Sequence, residues 1–177
     1  HAVTAGAPMP EEMKRDMLEL TKGGLSELWG LTEGGVTFMR SDEMPGRMKS
    51  VGRPVPGTDL RIIDDEGFDV TQTGRGEIVA RSNAMMTGYW GREKETAKCL
   101  WRHPDGTAYF KTGDIGQIDE DGYLTLKGRS KDMIISGGIN VYPIDIENVM
   151  LQHEAVQDVA VIGVPHGKWG EAPVACV

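Results

Sequence analysis

The sequence predicts a mixed α/β chain in which a β-rich module gives way, near Gly128, to an α+β module. Three observations predict it. Short alternating apolar segments separated by Gly- and Asp-rich turns fill much of residues 58–127. Beyond Gly128 the pattern becomes a short apolar strand, a Gly-Gly turn, a Pro-opened helix and a β-branched strand. Glycine is also in excess, 24 of 177 residues, roughly twice the usual ~7%. Without a repeat, that excess points to tight turns and to backbone lying close to ligands.

The elements follow in order. Ala5-Gly6-Ala7-Pro8 is a loop, and Pro10 suits the first turn of a helix running to about Lys22. Met13, Met17 and Leu20 share one face of that helix. Gly23-Gly24 ends it. Leu25–Trp29 is a short strand leading into a loop from Gly30 to Gly35. Strands are expected at 58–64, around Leu60 and Ile62, and at 77–81, around Ile78 and Val79. Residues 91–100 form a short polar helix. Tyr109 to Asp114 ends a strand with a Gly and an acid. Strands 115–119 and 123–127 join through Glu120-Asp121-Gly122, a strong hairpin signal. Residues 132–136 form a strand, Gly137-Gly138 a turn, Pro143 opens a helix, and 156–164 is a β-branched strand.

The totals restrict function. Hydrophobic residues make up 39% and charged ones 26%, enough for a sizeable core with an ordinary charged surface. A net charge of -8 repels phosphate backbones and argues against a nucleic-acid partner. A small phosphate ligand is still compatible, because backbone donors and a metal hold it locally. Two cysteines, Cys99 and Cys176, make no disulfide framework and suggest a reducing, cytoplasmic location. No apolar run approaches the ~18 residues of a membrane span. The amino end has no signal-peptide layout and no initiator Met, and both ends are expected to lie inside something longer.

Four stretches carry chemistry. Trp29-Gly30-Leu31-Thr32-Glu33 places an aromatic face, a hydroxyl and a carboxylate on one strand-to-loop transition. The ring can flank a base, the hydroxyl reach a phosphate and the carboxylate hold Mg²⁺, which takes one or two carboxylates plus phosphate oxygens. Alone, the stretch is better explained as a buried Trp beside a solvated turn Glu. Asp114, in Lys111-Thr112-Gly113-Asp114, has the chemistry to accept two ribose hydroxyls. It equally suits a hairpin entry. Gly128-Arg129-Ser130-Lys131-Asp132 sits at the boundary as a hinge or a solvated charged turn. Ser136 to Pro143 is a turn whose paired glycines admit another backbone or a thin ligand, or else a plain connection into a helix.

Specificity lies in the ordered set: Gly-Leu-Thr-Glu, then Gly-Glu-Ile with Gly88-Tyr89-Trp90, then Lys-Thr-Gly-Asp, then Gly-Arg-Ser-Lys-Asp with Gly-Gly-Ile-Asn-Val-Tyr-Pro. In this order and spacing the chain resembles the adenylate-forming superfamily of acyl- and aryl-CoA synthetases, luciferases and peptide-synthetase adenylation domains. The resemblance covers nearly the whole chain. It implies that residues 1–128 are the later part of a large N-terminal domain, an α/β piece plus a β-barrel-like subdomain. Residues 129–131 would be a hinge, and 132–177 the start of a small α+β C-terminal domain.

The resemblance also implies roles. A carboxylic acid would attack the α-phosphate of Mg-ATP, and CoA would then take the acyl group. Gly6, Ala7 and Pro8 would line the adenine and acyl pocket, and Trp29 would stack on adenine. Thr32 would contact the α-phosphate and Glu33 hold Mg²⁺. Asp114, assisted by Arg129, would take the ribose hydroxyls. Lys131 matches the hinge, Gly137 and Gly138 the pantetheine turn, and Asn140 a polar contact to AMP. The stretch Gly34 to Phe38, taken as loop, would border the acyl pocket. The wording is closer to fatty-acyl and aryl-CoA ligases than to amino-acid adenylation domains, the runner-up. A non-catalytic nucleotide-binding module is a third reading, opposed by the intact Thr32, Glu33, Asp114 and Arg129.

The family's Ser/Thr/Gly-rich phosphate loop matches no stretch here, and its late catalytic Lys is expected beyond Val177. Lys168 is no obvious substitute, since its surroundings match the strand and loop before that Lys. The 177-residue chain alone is therefore expected to be inactive and to show apolar surface or self-association. Replacing Lys131 by Pro in the full-length enzyme is expected to spare adenylate formation more than thioester formation. Equal loss of both half-reactions, measured separately, counts against the hinge.

Overall fold

The computed structural model describes all 177 residues. In chain order the elements are β1 (Ala2–Ala5), α1 (Glu11–Leu20), β2 (Leu25–Gly30), β3 (Val36–Met39), β4 (Arg53–Pro54), β5 (Thr58–Ile63), β6 (Gly76–Ser82), α2 (Glu93–Lys98), β7 (Leu100–Arg102), β8 (Ala108–Ile118), β9 (Leu124–Arg129), β10 (Ile134–Ser136), β11 (Ile139–Val141), α3 (Pro143–Met150), β12 (Ala160–His166) and β13 (Gly170–Cys176). The mixed α/β class is the one expected. The chain divides into two compact units, His1–Thr112 with Gly116–Leu126, and Gly113–Ile115 with Lys127–Val177.

In the first unit, β1 and β2 pair in parallel, Ala2 opposite Leu25 and Ala5 opposite Leu28. A parallel pair needs a crossover, and α1 supplies it. Strands β3 and β4 extend the sheet antiparallel, in the order β1-β2-β3-β4. Helix α1 ends where Lys22 (φ 52) and Gly23 (φ 83) turn left-handed and the Gly23 amide donates to Leu18 O at 2.6 Å.

The buried face of α1 differs from the expected one. Met13 and Leu20 are exposed, whereas Lys14, at 2% exposure, is the buried residue of the helix, with Met17 and Leu18 beside it. The reason is an acid on the facing strand. Glu27, 1% exposed, forms an ion pair with the Lys14 ammonium at 2.6 Å. Lys14 Nζ also donates to Met48 O at 2.7 Å and Ser50 O at 3.3 Å. The other oxygen of Glu27 takes the Met9 amide at 3.1 Å. An apolar-periodicity count cannot find a face centred on a lysine. Leu25, Met39, Met44 and Tyr123 complete the surrounding core.

A second sheet runs β5-β6-β8-β7, with β9 also beside β8. It buries both faces. Leu60, Ile62, Ile78 and Ala80 enter one core with Trp29, Val51 and Leu124, while Ile63 and Val79 meet Tyr109 and Trp101 on the other. Strand β8 does not end at the Gly-Asp step as the sequence suggested. It runs from Ala108 through Ile118, because it pairs with β6, β7 and β9. The hairpin before β9 forms as expected. Asp119 accepts the amides of Asp121 at 3.0 Å and Tyr123 at 2.9 Å, and Gly122 (φ 83) closes the turn.

The second unit holds the sheet β11-β10-β13-β12 with α3. Ile134, Val159 and Val161 form its core with Ile146, Met150 and Val156. Two strand limits shift. Ser130–Asp132 is a 3-10 turn, so β10 starts at Ile134. The last β-branched strand starts at Ala160 rather than Val156, because residues 153–158 turn: His153 Nδ1 accepts the Ala155 amide and the Asp158 carboxylate accepts the Val159 amide.

Removing one partner of a fully buried pair leaves the other charge uncompensated. Lys14→Met is expected to lower unfolding free energy by about 3–5 kcal/mol, against under 1 kcal/mol for breaking the exposed Arg15–Glu11 pair, both read by denaturant titration.

Candidate functional site

Parallel pairing of β1 with β2 decides where the first two motifs go. Both strands point the same way, so the loops that follow them, Gly6-Ala7-Pro8 and Leu31 to Gly35, leave the same end of the sheet. Gly6 (φ 96), Ala7 and Pro8 are exposed, and space for a Cβ at Gly6 is open. Met9, tied to Glu27, fixes the far end of that loop.

The second loop is folded on itself and on its neighbour. The Leu31 amide donates to Gly35 O and the Gly34 amide to Leu31 O, both at 3.2 Å. Its two glycines permit close approach to the β6 strand and the segment after it. A Cβ at Gly35 (φ 100) would lie 2.5 Å from Ala80 Cβ, and one at Gly34 (φ 126) 2.8 Å from Met85 Cα. The Met86 amide donates to Glu33 O at 2.8 Å. This seats Thr32 in solvent and Glu33 half-buried. Of the expected loop from Gly34 to Phe38, only the two glycines are loop. Val36–Met39 is β3, held by Thr37 Oγ1 donating to Val51 O at 2.6 Å.

Glu33 has a partner that its own motif does not show. The Tyr89 phenol donates to Glu33 Oε1 at 3.0 Å. That bond raises the Tyr89 phenol above its ordinary value, so it stays a protonated donor at neutral pH. Gly88-Tyr89-Trp90 was visible as a motif, but nothing in its spacing links it to a carboxylate 56 residues away. Trp29 faces the core with Val51, Leu60 and Ile78 and is 8% exposed.

The other residues lie in the second unit. Gly113 (φ 72) bends β8, and the buried Asp114 accepts Arg129 Nε at 2.9 Å. The proposed acid and its assisting cation are thus already paired. Lys131 is exposed in the 3-10 turn. Gly137 and Gly138 form the β10–β11 turn, and the Trp169 ring closes over the first: a Cβ at Gly137 would lie 2.8 Å from Trp169 Cε3. Asn140 lies in β11 opposite Ile135. A cavity of about 460 Å³ opens among Arg129, Lys131, Pro143, Glu147, Val161 and Glu171.

The arrangement is that of an α/β protein whose candidate ligand loops leave the carboxyl ends of parallel strands. A model of the AMP-binding enzyme family matches residues 1–90, and one of the AMP-binding enzyme C-terminal domain matches residues 145–177. The chain belongs to the AMP-binding enzyme family. It is 41% identical over 181 residues to the long-chain-fatty-acid–CoA ligase FadD13 of Mycobacterium tuberculosis, covering 99% of this chain and 34% of that protein. Among solved structures, the amide bond synthetase McbA of Marinactinospora thermotolerans superposes with a TM-score of 0.85 at 34% identity, over 98% of this chain and 35% of that one. The o-succinylbenzoate CoA synthetase MenE of Bacillus subtilis, in complex with the acyl-adenylate intermediate OSB-AMP, gives 0.82 at 29% identity, over 98% and 35%. The chain spans about a third of the length of these relatives.

Gly35→Ala adds a methyl group where there is no room and the backbone is left-handed. It is expected to cost about 1–3 kcal/mol in thermal or denaturant unfolding. Gly6→Ala, facing open space, carries only the strain of its backbone.

Proposed function

We propose that the protein carrying this chain is an ATP-dependent acid–CoA ligase acting on a fatty or aromatic carboxylic acid. The observation that supports this best is the parallel β1–β2 pair, which sets the Gly6–Pro8 loop beside the loop of Thr32 and Glu33. In the first half-reaction a carboxylate oxygen of the acid bonds to the α-phosphorus of ATP, and the bond to pyrophosphate breaks. In the second, the CoA sulfur bonds to the acyl carbon, AMP leaves, and the thiol proton goes to solvent or base.

In this reading Gly6, Ala7 and Pro8 line the nucleotide and acyl pocket, with Gly34 and Gly35 at its border. Thr32 donates to the α-phosphate. Asp114 and Arg129 serve the ribose, and Asn140 the AMP. Gly137 and Gly138 lie along the path of the CoA thiol arm, and Lys131 is the pivot between half-reactions. Phosphates that lose water need fixed donors and a cation in its place.

Magnesium fits the residues present. No cluster of three acidic, His or Cys ligands exists, so no all-protein cage is on offer. A single carboxylate, Glu33, stands half-exposed beside a hydroxyl, and Mg²⁺ bound to nucleotide asks for about that much. When bound, the ion neutralises charge on the phosphates.

The test is ATP–pyrophosphate exchange by the full-length protein against fatty, aromatic and amino acids, with CoA withheld. Exchange dependent on fatty or aromatic acids is the expected result. Dependence on an amino acid alone would move the reading to a peptide-synthetase domain. The isolated 177-residue chain is expected to show no exchange with any acid, and exchange by it would overturn the assignment of phosphate-binding groups to other parts of the enzyme.

A further inference from the structure

We propose that Tyr89 is a positioning residue for Glu33, and that its phenol fixes the carboxylate in the orientation that receives the nucleotide-bound cation. The inference rests on the function proposed above. It assigns a role to Gly88-Tyr89-Trp90, a motif that this function leaves unused.

The geometry has two anchored ends. On one side, Glu33 belongs to a loop seated by its own carbonyl on the Met86 amide, at 2.8 Å, and by Gly34 against Met85. On the other, the Tyr89 amide donates to Thr96 Oγ1 at 2.9 Å, and Thr96 Oγ1 donates to Arg92 O at 2.9 Å in the first turn of α2. Gly88 (φ 150) lies so close to Thr96 that a Cβ there would sit 3.0 Å from its methyl group. Backbone therefore holds both the donor and the acceptor of the 3.0 Å phenol–carboxylate bond. Oε1 is occupied by the phenol. In this proposal Oε2 is the oxygen left to meet the cation.

The physical need is clear. A glutamate on a loop has several rotatable bonds, and ordering it costs free energy each time a ligand demands one geometry. Mg²⁺ tolerates little departure from octahedral coordination. A hydrogen bond from a fixed phenol removes that ordering cost beforehand. Partners of this kind behind a ligating group are worth about 10–100-fold in metal affinity.

A tether that only held the loop would stabilise the fold without tuning the cation. The experiment separates the two. In the full-length enzyme, binding of the Mn²⁺ complex of a non-hydrolysable ATP analogue is followed by water-proton relaxation, with no acid or CoA present. Y89F, which removes only the phenol oxygen, is expected to weaken binding of the Mn²⁺–nucleotide complex about ten-fold. It is expected to leave binding of the metal-free analogue within two-fold. E33Q is expected to weaken the Mn²⁺ complex at least as much, and adding Y89F to E33Q is expected to have no further effect. Wild-type Mn²⁺ affinity in Y89F, with loss in E33Q, overturns the role of Tyr89 alone. Equal weakening by Y89F with and without Glu33 also overturns it. Wild-type affinity in E33Q overturns the assignment of Glu33 itself, and the inference with it.

Discussion

One buried ion pair organises the amino-terminal half of this chain. Lys14 and Glu27 are both almost fully removed from water and 2.6 Å apart. Charges so placed must satisfy every remaining donor and acceptor locally, or the desolvation cost exceeds the attraction. Here the backbone supplies partners on both sides: Lys14 reaches Met48 O and Ser50 O, and Glu27 Oε1 takes the Met9 amide, while Glu27 Oε2 has only the ammonium charge against it. Four separate segments meet at one point as a result: the end of the Gly6–Pro8 loop, α1, the middle of β2, and the chain before Val51. The same contact therefore fixes the register of β2, and with it the position of the loop that carries Thr32 and Glu33.

From that fixed strand, small residues do the rest. The turn after β2 lies against β6 and the segment beyond it only because Gly34 and Gly35 present no side chain where Met85 and Ala80 stand. Close backbone approach makes the Met86–Glu33 hydrogen bond possible and brings Tyr89 within reach of the carboxylate. A similar device recurs in the second unit, where Gly137 lets Trp169 lie over the β10–β11 turn. The packing explains why these loops are glycine-rich.

Much of the fold was legible because it rests on local rules. The Pro-opened, Gly-terminated α1, the Asp119–Gly122 hairpin and the alternation of Leu60 and Ile62 follow from capping, turn chemistry and period-two burial. The misread parts depend on partners far away in sequence. Met13 and Leu20 looked like the core face of α1 until Glu27 drew Lys14 inward. Val36–Phe38 looked like loop because nothing in its spacing showed that it pairs back on β2 and carries β4 on its other edge. Strand β8 looked finished at Gly113-Asp114 because no local signal shows that three strands lie against it.

Residue types alone set out the chemistry on offer and its order: hydroxyl and carboxylate at Thr32 and Glu33, carboxylate and cation at Asp114 and Arg129, the paired glycines before Tyr142. Residue types and spacing are written in the chain, and they suffice to mark the family. Which of these groups meet was settled by long-range folding. It joined Arg129 to Asp114, placed Trp29 in a core, and set Tyr89 on Glu33 across 56 residues. Such contacts form between elements whose mutual placement is set by burial and sheet pairing, and neither is encoded at the sites that finally touch.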